Sequence, residues 1–512
     1  MNVSRRWFIG GAASFGAFQG CRFVESPFGR DGVARLKFGV ISDIHIIAAN
    51  VDFGHQGNTR VLKHAFRWFD AQGADGVVIA GDMADAGLIS QLKCVADAWN
   101  EVFPDGKSRL DGRPVEKLFV YGNHDWDGYN YGYNIFGKPS RDLLEDQITK
   151  IGMKKSWESV FEEEYSPIYK KVIKGYSFVG GHWDSDNGSG WGTGPNLTDF
   201  FARHGKEIDP SLPFFYYQHP HPKDTCYGSW AWGHDNGSST KALSQYSNAI
   251  AFSGHSHYSL LDERTVWQGA FTSIGTGSLR YAGGPYDEFA ADGGYENAGG
   301  GKAKDGRLPA DKLMEPIYTP SERNGMLLSV YDDHITIVRR DFGNDVDLGP
   351  DWVMPLPVAE PRPFAFAERA KKSVAPTFAA DAKLAFESRE VLPRGKQKKD
   401  FKNEDERKAY LQKNAVKTVV VKVPAAMQTF ENRTYRYDVA VLDKDGKQVL
   451  LRRVLSPDYH LPIGKAVKSF ELPLEVAKLP KVGPVNVRVT PYNSLGKAGQ
   501  PLVACFSGAD SV

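Results

Sequence analysis

Short apolar runs alternate with amphipathic segments in the first quarter of the chain. Three runs, 36–42, 76–80 and 118–121, have the length and composition of buried strands. Between them, segments 58–71 and 89–103 repeat apolar residues at the spacing of an amphipathic helix. This alternation predicts an α/β fold in which parallel strands carry helices on their faces.

Each of these runs ends in polar residues that could bind a cation. Asp43 and His45 follow the first run, and Asp82 follows the second after Gly81. The third run ends in the tetrapeptide 122–125, Gly-Asn-His-Asp. Ligands in open α/β sheets collect at the carboxyl ends of strands, so we expect these side chains to lie together. Taken alone, the tetrapeptide is equally typical of a turn, because Gly and Asn tolerate left-handed backbone.

Two later strand-like runs end in histidines. Run 213–217 is followed by His219 and His221. We favour His219 as a ligand because it comes first after the strand, and we keep His221 as the alternative. Run 250–253 leads into 254–257, Gly-His-Ser-His, whose two histidines have the same spacing as the first Asp-x-His pair.

These blocks together resemble the calcineurin-like metallophosphoesterase family. All five signature blocks are present in order, each after a strand-like run, within residues 37–342. Segments 326–330 and 334–340 are similar to the family's closing hairpin. The resemblance implies a layered β-sheet core flanked by helices. The matching blocks are Asp43-x-His45, Gly81-Asp82, the tetrapeptide 122–125, His219 and the segment 254–257.

The resemblance implies a centre of two divalent metal ions. Ions about 3.5–4 Å apart can clamp phosphoryl oxygens and hold a hydroxide in line for attack. Carboxylate, imidazole and amide ligands suit Mn, Fe or Zn, and which of these is native stays open. In the implied arrangement Asp82 bridges both ions. The first ion also has Asp43, His45 and His257, and the second has Asn123, His219 and His255.

The resemblance also implies an enzyme, a metal-dependent phosphoric ester hydrolase. His124 would sit over the phosphate and protonate the leaving oxygen, and Asp125 would orient His124 and favour its imidazolium form. The partner is then a small phosphate ester. The residues do not distinguish a phosphomonoesterase from a phosphodiesterase or nucleotidase. A third hypothesis is a surface binding protein with a vestigial metal site, against which the intact ligand set argues.

The amino terminus resembles a twin-arginine export signal. Arg5 and Arg6 precede a weakly apolar, small-residue run that ends at Gly20, too short to span a bilayer. We assign residues 1–30 to this signal and expect a periplasmic or cell-surface protein. The alternative is a disordered basic tail. Cys21 leaves a lipid anchor open, because the residues before it only partly fit a lipoprotein box.

The last third of the chain reads as an all-β domain. Five prolines between 350 and 363 mark a boundary, so we predict a metallophosphoesterase domain at 31–357 and a β-sandwich at 358–512. Segment 435–455 has the pattern of a hairpin with an Asp-Gly turn. Segment 487–496 resembles the penultimate strand of a fibronectin type III domain.

Composition limits the remaining possibilities. The 512 residues exceed one ordinary domain, and a net charge of +1 does not indicate nucleic-acid binding. The cysteines are scattered without paired spacing, so neither a disulfide framework nor a thiolate metal site is indicated. The oligomeric state stays open. Aromatic segments 126–137 and 230–234, and the glycine-rich segment 281–309, could border a substrate pocket or be ordinary loops.

Overall fold

The structure is a computed structural model. It describes residues 32–47, 56–128, 145–183, 197–228, 233–282, 314–315, 322–358, 362–393, 400–427, 433–457, 467–480 and 484–506. The expected export signal with Cys21, and nearly all of the glycine-rich segment, lie outside the described residues. In the part of the chain that the structure describes, no helix is long and apolar enough to cross a membrane.

Strands and helices alternate through the first part of the chain. In order they are β1 (Leu36–Ile41), α1 (Gln56–Ala71), β2 (Gly76–Ala80), α2 (Ile89–Val102), β3 (Glu116–Val120), α3 (Asn123–Asp127), α4 (Ile148–Ile151), α5 (Met153–Phe161), β4 (Ile168–Ile173), β5 (Tyr176–Gly181), α6 (Leu197–His204), β6 (Phe214–Tyr217), α7 (Ser238–Leu243), β7 (Ala249–Ser253), β8 (Val266–Gln268), β9 (Thr272–Gly275), β10 (Met314–Glu315), β11 (Asn324–Val330), β12 (His334–Asp341), β13 (Val346–Asp347) and β14 (Trp352–Pro355).

The remaining elements are mostly strands. They are α8 (Phe366–Lys372), β15 (Ala385–Val391), α9 (Glu404–Asn414), β16 (Val416–Pro424), β17 (Thr434–Leu442), β18 (Gln448–Leu455), β19 (Ser469–Glu475), β20 (Val485–Asn493) and β21 (Leu502–Phe506). Short 3₁₀ helices lie at Pro104–Gly106, Gly205–Glu207, Glu263–Thr265 and Val476–Lys478.

The first sheet has the order β13-β12-β11-β1-β2-β3, with β14 also paired to β12. Strands β1, β2 and β3 are parallel, with Val40 opposite Val78 and Val78 opposite Leu118. The hairpin of β11 and β12 joins this sheet antiparallel to β1. The predicted parallel pairing and closing hairpin are therefore confirmed.

The second sheet packs face to face on the first. Its order is β4-β5-β6-β7-β9-β8, and β5, β6, β7 and β9 are parallel. Phe38 of the first sheet contacts Phe178 and Phe215 of the second, with ring centroids 5.0 and 4.7 Å apart. These rings are buried, and each contributes about 1.5–3 kcal/mol through removal of apolar area from water.

Helices cover the outer face of each sheet. Phe66 of α1 packs against Trp99 of α2, with ring centroids 5.5 Å apart, and both belong to the core above the first sheet. Phe201 of α6 packs 5.9 Å from Phe214 of β6 on the second. The α/β fold with a layered β-sheet core flanked by helices is confirmed. This layering aims the carboxyl ends of both sets of parallel strands toward one edge.

The carboxyl-terminal strands form two further sheets, as expected for the predicted β-sandwich. One has the order β10-β18-β17-β20-β21 and the other β15-β16-β19. A core that includes Val421, Val439 and Val487 lies between them. Residues 34–512 form one compact unit, so the predicted division after residue 357 stays a prediction.

Candidate metal centre

The seven predicted ligands all follow parallel strands at this edge. Their side chains are almost completely buried, with at most 9% of the residue exposed. A residue so polar is rarely buried without a partner that compensates its loss of hydration. The strand ends that carry them are β1 (Asp43, His45), β2 (Asp82), β3 (Asn123), β6 (His219) and β7 (His255, His257).

A first cluster consists of Asp43, His45 and His257, whose candidate ligand atoms lie within 4.8 Å of one another. Nε2 of His257 is 3.0 Å from Oδ1 of Asp43. The Nε2 atoms of His45 and His257 are 3.1 Å apart. Two imidazole nitrogens can share only one proton between them, whereas a cation accepts a lone pair from each, so this convergence fits a metal ion.

A second cluster consists of Asp82, His219 and His255. Nε2 of His219 is 3.1 Å from Oδ2 of Asp82 and 3.2 Å from Nδ1 of His255. Asn123 is held next to this cluster, because the residue that follows it, His124, donates its backbone N–H to Oδ1 of Asp82 at 2.9 Å. Oδ1 of Asn123 is buried and has no hydrogen-bond partner among the described residues, as expected for an atom that binds a cation.

Asp82 lies between the two clusters. Its Oδ2 is 3.5 Å from Nε2 of His45 in the first cluster and 3.1 Å from Nε2 of His219 in the second. The structure thus brings the predicted ligands together around a shared carboxylate. The individual ligand roles stay predictions.

The backbone at this site is strained. Five of the seven candidates have positive φ, a region that residues other than glycine rarely adopt and that costs about 1–3 kcal/mol each. Surrounding contacts must therefore hold these loops in place. The residues are Asp43 (φ 51°), His45 (48°), Asp82 (53°), His255 (71°) and His257 (56°).

Glycines make room for two of the carboxylates. A Cβ atom at Gly122 would lie 2.2 Å from Oδ1 of Asp82, and one at Gly254 would lie 2.3 Å from Oδ2 of Asp43. Real Cβ contacts are never this short. The glycines of the sequence blocks are thus needed because the strand-end loops approach each other closely.

Hydroxyl and backbone groups orient the ligands from outside. The Ser42 hydroxyl contacts Oδ2 of Asp43 and lies 2.6 Å from Oγ1 of Thr276. Nδ1 of His219 donates to the carbonyl of Ala80 at 2.8 Å, which leaves Nε2 to face the second cluster. Sequence reasoning missed Ser42 and Thr276. Their contact joins positions 234 residues apart, and no local pattern marks it.

Asp85 supports two of the predicted functional histidines. Its Oδ1 accepts from Nδ1 of His45 at 3.1 Å, which turns Nε2 of His45 toward the first cluster. Its backbone carbonyl accepts from Nδ1 of His124 at 2.7 Å. Sequence reasoning missed Asp85, although its position in the Asp82 loop was an available signal.

Asp125 is bound to the backbone of neighbouring loops. Both of its carboxylate oxygens accept backbone N–H groups, and the Asp85 carbonyl accepts from Nδ1 of His124. The expected orientation of His124 by Asp125 stays a prediction. Burial, with the charge of Asp82, raises the pKa of Asp125 to about 7 against these hydrogen bonds. The donors are the N–H groups of Met83 (3.2 Å), Ala84 (2.6 Å) and Gly122 (2.8 Å).

The electrostatics of the clusters favour cations. Burial by itself would lower the pKa of His45, but the nearby carboxylates of Asp43 and Asp85 raise it to about 10. Burial also opposes protonation of His219, yet the charges of Asp82 and Asp43 raise its pKa to about 9. Closely spaced carboxylates thus draw positive charge into the site, and bound metal ions would replace those protons.

Two other histidines, His221 and His182, form hydrogen bonds outside the two clusters. His221, the alternative ligand, has Nδ1 2.8 Å from the Ser253 hydroxyl and Nε2 2.7 Å from the Ser256 hydroxyl, so hydroxyl groups occupy both nitrogens. Nδ1 of His182 accepts the backbone N–H of Tyr121 at 3.1 Å, and burial lowers its pKa to about 3. Both therefore stay outside the clusters.

Aromatic and basic side chains border the clusters. The Trp183 ring lies 6.2 Å from the His219 ring and 6.0 Å from the His255 ring. Tyr281 packs 4.6 Å from His257, and the Arg280 guanidinium pairs with the Asp85 carboxylate. The sequence carried no signal for Arg280. The expected aromatic borders at 129–137 and 230–232 lie outside the described residues.

Comparison with known proteins supports the sequence resemblance. Residues 36–259 match the family model described as calcineurin-like phosphoesterase. No curated protein matches the chain.

Several solved structures are similar in fold. A dimetal phosphatase from Danio rerio is 12% identical with a TM-score of 0.35, covering 63% of this chain and 99% of that one. GAP50, the anchor in the inner membrane complex of Plasmodium, is 11% identical with a TM-score of 0.35, and the match covers 62% of this chain and 87% of GAP50. Purple acid phosphatase PPD1 from yellow lupin is 12% identical with a TM-score of 0.37, and the match covers 62% of this chain and 53% of the phosphatase.

Proposed function

We propose that the protein is a metal-dependent hydrolase of phosphate esters, a function supported by the match of residues 36–259 to the family model described as calcineurin-like phosphoesterase. The observation that carries this proposal is the pair of buried clusters that share Asp82. Binding one ion requires one such cluster. Two clusters joined by a carboxylate suit the activation of a phosphate ester from both sides.

The donor set fits a pair of divalent ions. It consists of carboxylate oxygens, imidazole nitrogens and one amide oxygen, which suit Mn, Fe or Zn and include no thiolate. When bound, such ions neutralise developing phosphoryl charge and lower the pKa of water. We assign Asp43, His45 and His257 to one ion, Asn123, His219 and His255 to the other, and Asp82 to both.

We assign His124 as the general acid. Its Nδ1 donates to the Asp85 carbonyl at 2.7 Å, so Nε2 is the atom that we assign to protonation of the leaving oxygen. Its ring lies 4.6 Å from the His45 ring, close to the first cluster. Asp125 would assist by fixing the loops at residues 82–84 and 122–125, since its carboxylate links their backbones.

The test is hydrolysis of a chromogenic phosphomonoester and diester with Mn, Fe or Zn, together with metal content. We expect Asp82→Asn to lose the metal pair and activity. We expect His124→Ala to retain two ions but to lose about 100- to 10,000-fold in rate on esters with poor leaving groups. Preference for the diester would favour the phosphodiesterase alternative. No turnover of either ester with both ions bound would favour a binding protein instead.

We also propose export by the twin-arginine route, supported by the sequence around Arg5 and Arg6. Transport of the folded chain would allow metal loading before export. Cell fractionation tests this. Loss of the periplasmic or cell-surface protein on Arg5→Lys with Arg6→Lys is the expected result, and a purely cytoplasmic wild-type protein would contradict it.

A further inference from the structure

Arg280 is attached to the first cluster at two points. Its Nη1 donates to Oδ1 of Asp85, the same oxygen that accepts from Nδ1 of His45 at 3.1 Å. Its backbone N–H donates to the carbonyl of Asp43 at 3.1 Å. The guanidinium is therefore held beside the residues that we assign to the first ion and to the acid.

The Arg280 side chain also reaches solvent. It is 24% exposed, whereas the Asp85 side chain that it contacts is 5% exposed. Its guanidinium carbon lies 5.8 Å from the centre of the Tyr281 ring, and that ring packs 4.6 Å from the His257 ring. Arg280 thus lies beside the first cluster with part of its side chain in contact with solvent.

A second arginine, Arg323, is linked to the same cluster through Asn58. Nη1 of Arg323 donates to Oδ1 of Asn58 at 2.9 Å, and Nδ2 of Asn58 donates to the His45 carbonyl at 3.0 Å. Burial lowers the pKa of Arg323 against the opposing charge of Asp341, and the charges of Arg60 and Arg280 lower it further. Arginines beside the cluster attract a multiply charged anion.

We infer that Arg280 binds non-bridging oxygens of the substrate phosphoryl group and that the substrate is a phosphomonoester, an inference that rests on the proposed function. A monoester dianion has three non-bridging oxygens and a diester has two. The additional oxygen suits a guanidinium, whose planar fork can hold two phosphoryl oxygens at once. Asp85 then serves as the resting partner of Arg280 and shares it with the substrate.

The first experiment measures binding of inorganic phosphate to the Mn-loaded protein by calorimetry, with metal content determined for each variant. We expect Arg280→Gln to weaken phosphate binding about 10- to 100-fold and to retain both ions. Arg280→Lys keeps the charge but loses the fork, so an intermediate loss is expected. Arg407→Gln, which removes a partly exposed arginine paired with Glu404 on α9, is the matched control and should bind phosphate like wild type.

The second experiment compares kcat/KM for p-nitrophenyl phosphate and bis(p-nitrophenyl) phosphate. Arg280→Gln should lower the value for the monoester at least 10-fold more than the value for the diester. Equal losses for both esters, or a wild-type preference for the diester, would overturn the assigned substrate class.

The outcomes separate this inference from the proposed function. Unchanged phosphate affinity in Arg280→Gln with two ions bound would refute a contact with phosphate. Loss of metal that accounts for all of the weakening would also refute it, because Arg280 would then only position Asp85. If phosphate binding depends on Arg280 but no ester is hydrolysed, the anion site stands and the proposed function fails.

Discussion

The Asp85 carboxylate shows how a single residue outside the ligand set can control the site. It accepts from Nδ1 of His45, pairs with Arg280, and its own backbone carbonyl accepts from His124. A histidine whose outer nitrogen is fixed in this way presents its inner nitrogen to a metal in one orientation. The orientation of the candidate ligand His45 and the position of the proposed acid His124 therefore depend on the same loop.

We expect Asp85→Asn to weaken metal binding at the first position about 10- to 100-fold, because the uncharged amide holds His45 less firmly. Titration with Mn in competition with a chelator measures the change. Asp111→Asn removes a carboxylate from an exposed pair with Arg113 and should leave affinity unchanged. Equal metal affinity in Asp85→Asn and wild type would show that His45 does not depend on Asp85.

His182 gives a pH-dependent stability. Burial lowers its folded pKa to about 3 from an ordinary 6.5, so between these values the unfolded chain binds a proton that the folded chain does not. Stability is therefore lost as pH falls below 6.5. At pH 5.5 this loss is about 1 kcal/mol.

His182→Asn should reduce that loss, because the amide oxygen can still accept the Tyr121 N–H but does not titrate. Urea unfolding of both proteins at pH 7.5 and pH 5.5 provides the measurement. The difference in unfolding free energy between the two pH values should be smaller in the variant by about 1 kcal/mol. The same difference in both proteins would assign the pH dependence to other groups.

Among elements, the turns after β2, β3 and β7 determine how closely the candidate metal ligands approach one another. The turns approach each other too closely to admit a methyl group at Gly122, which faces Asp82, or at Gly254, which faces Asp43 of the other sheet. Strand ends from both sheets can therefore place ligands in one small volume.

We expect Gly122→Ala to displace the Asp82 carboxylate and to lose at least one of the two ions while the fold is retained. Metal analysis and circular dichroism of the variant test this. In the control Gly175→Ala, a Cβ atom would have nothing within 4 Å, so only the strain of its positive φ, about 1 kcal/mol, should reduce stability. Two bound ions in Gly122→Ala would show that the loop can relax.

The sequence was a good guide to elements whose pattern is local. The alternating apolar runs predicted β1, α1, β2, α2 and β3 to within a few residues, and the polar residues at the strand ends predicted which side chains meet. Contacts between distant segments had no such pattern. Thr276 contacts Ser42, and Arg280 reaches Asp85, only because the two sheets meet face to face.

At the scale of the whole molecule, the carboxyl-terminal sheets contact the part of the chain that carries the candidate metal centre through a buried arginine. Arg264 is fully buried, donates to Asp262 at 2.6 Å, and places its guanidinium carbon 4.0 Å from the ring of Tyr435 on β17. Arg369 donates to the Val266 carbonyl at 2.7 Å nearby. Arg264 and Val266 belong to the segment that follows His257. The carboxyl-terminal sheets therefore contact a segment that leads directly from the candidate metal centre.

We expect Tyr435→Ala to lower the unfolding free energy by about 3–5 kcal/mol, because it opens a cavity and removes the aromatic face beside a buried charge. Thermal unfolding measures this. Tyr435→Phe keeps the ring and should lose much less. A loss of similar size in both variants would place the importance in the hydroxyl group and not in the ring.

Strand β10 precedes the predicted boundary at residue 357 but pairs with β18 of the carboxyl-terminal sheet, with Met314 opposite Arg453 and Glu315 opposite Val454. Backbone groups on that side of β18 would otherwise remain open at a sheet margin, and such margins recruit strands from other molecules. A fragment that begins at residue 358 would leave this margin uncovered, so self-association of the isolated sandwich is the consequence.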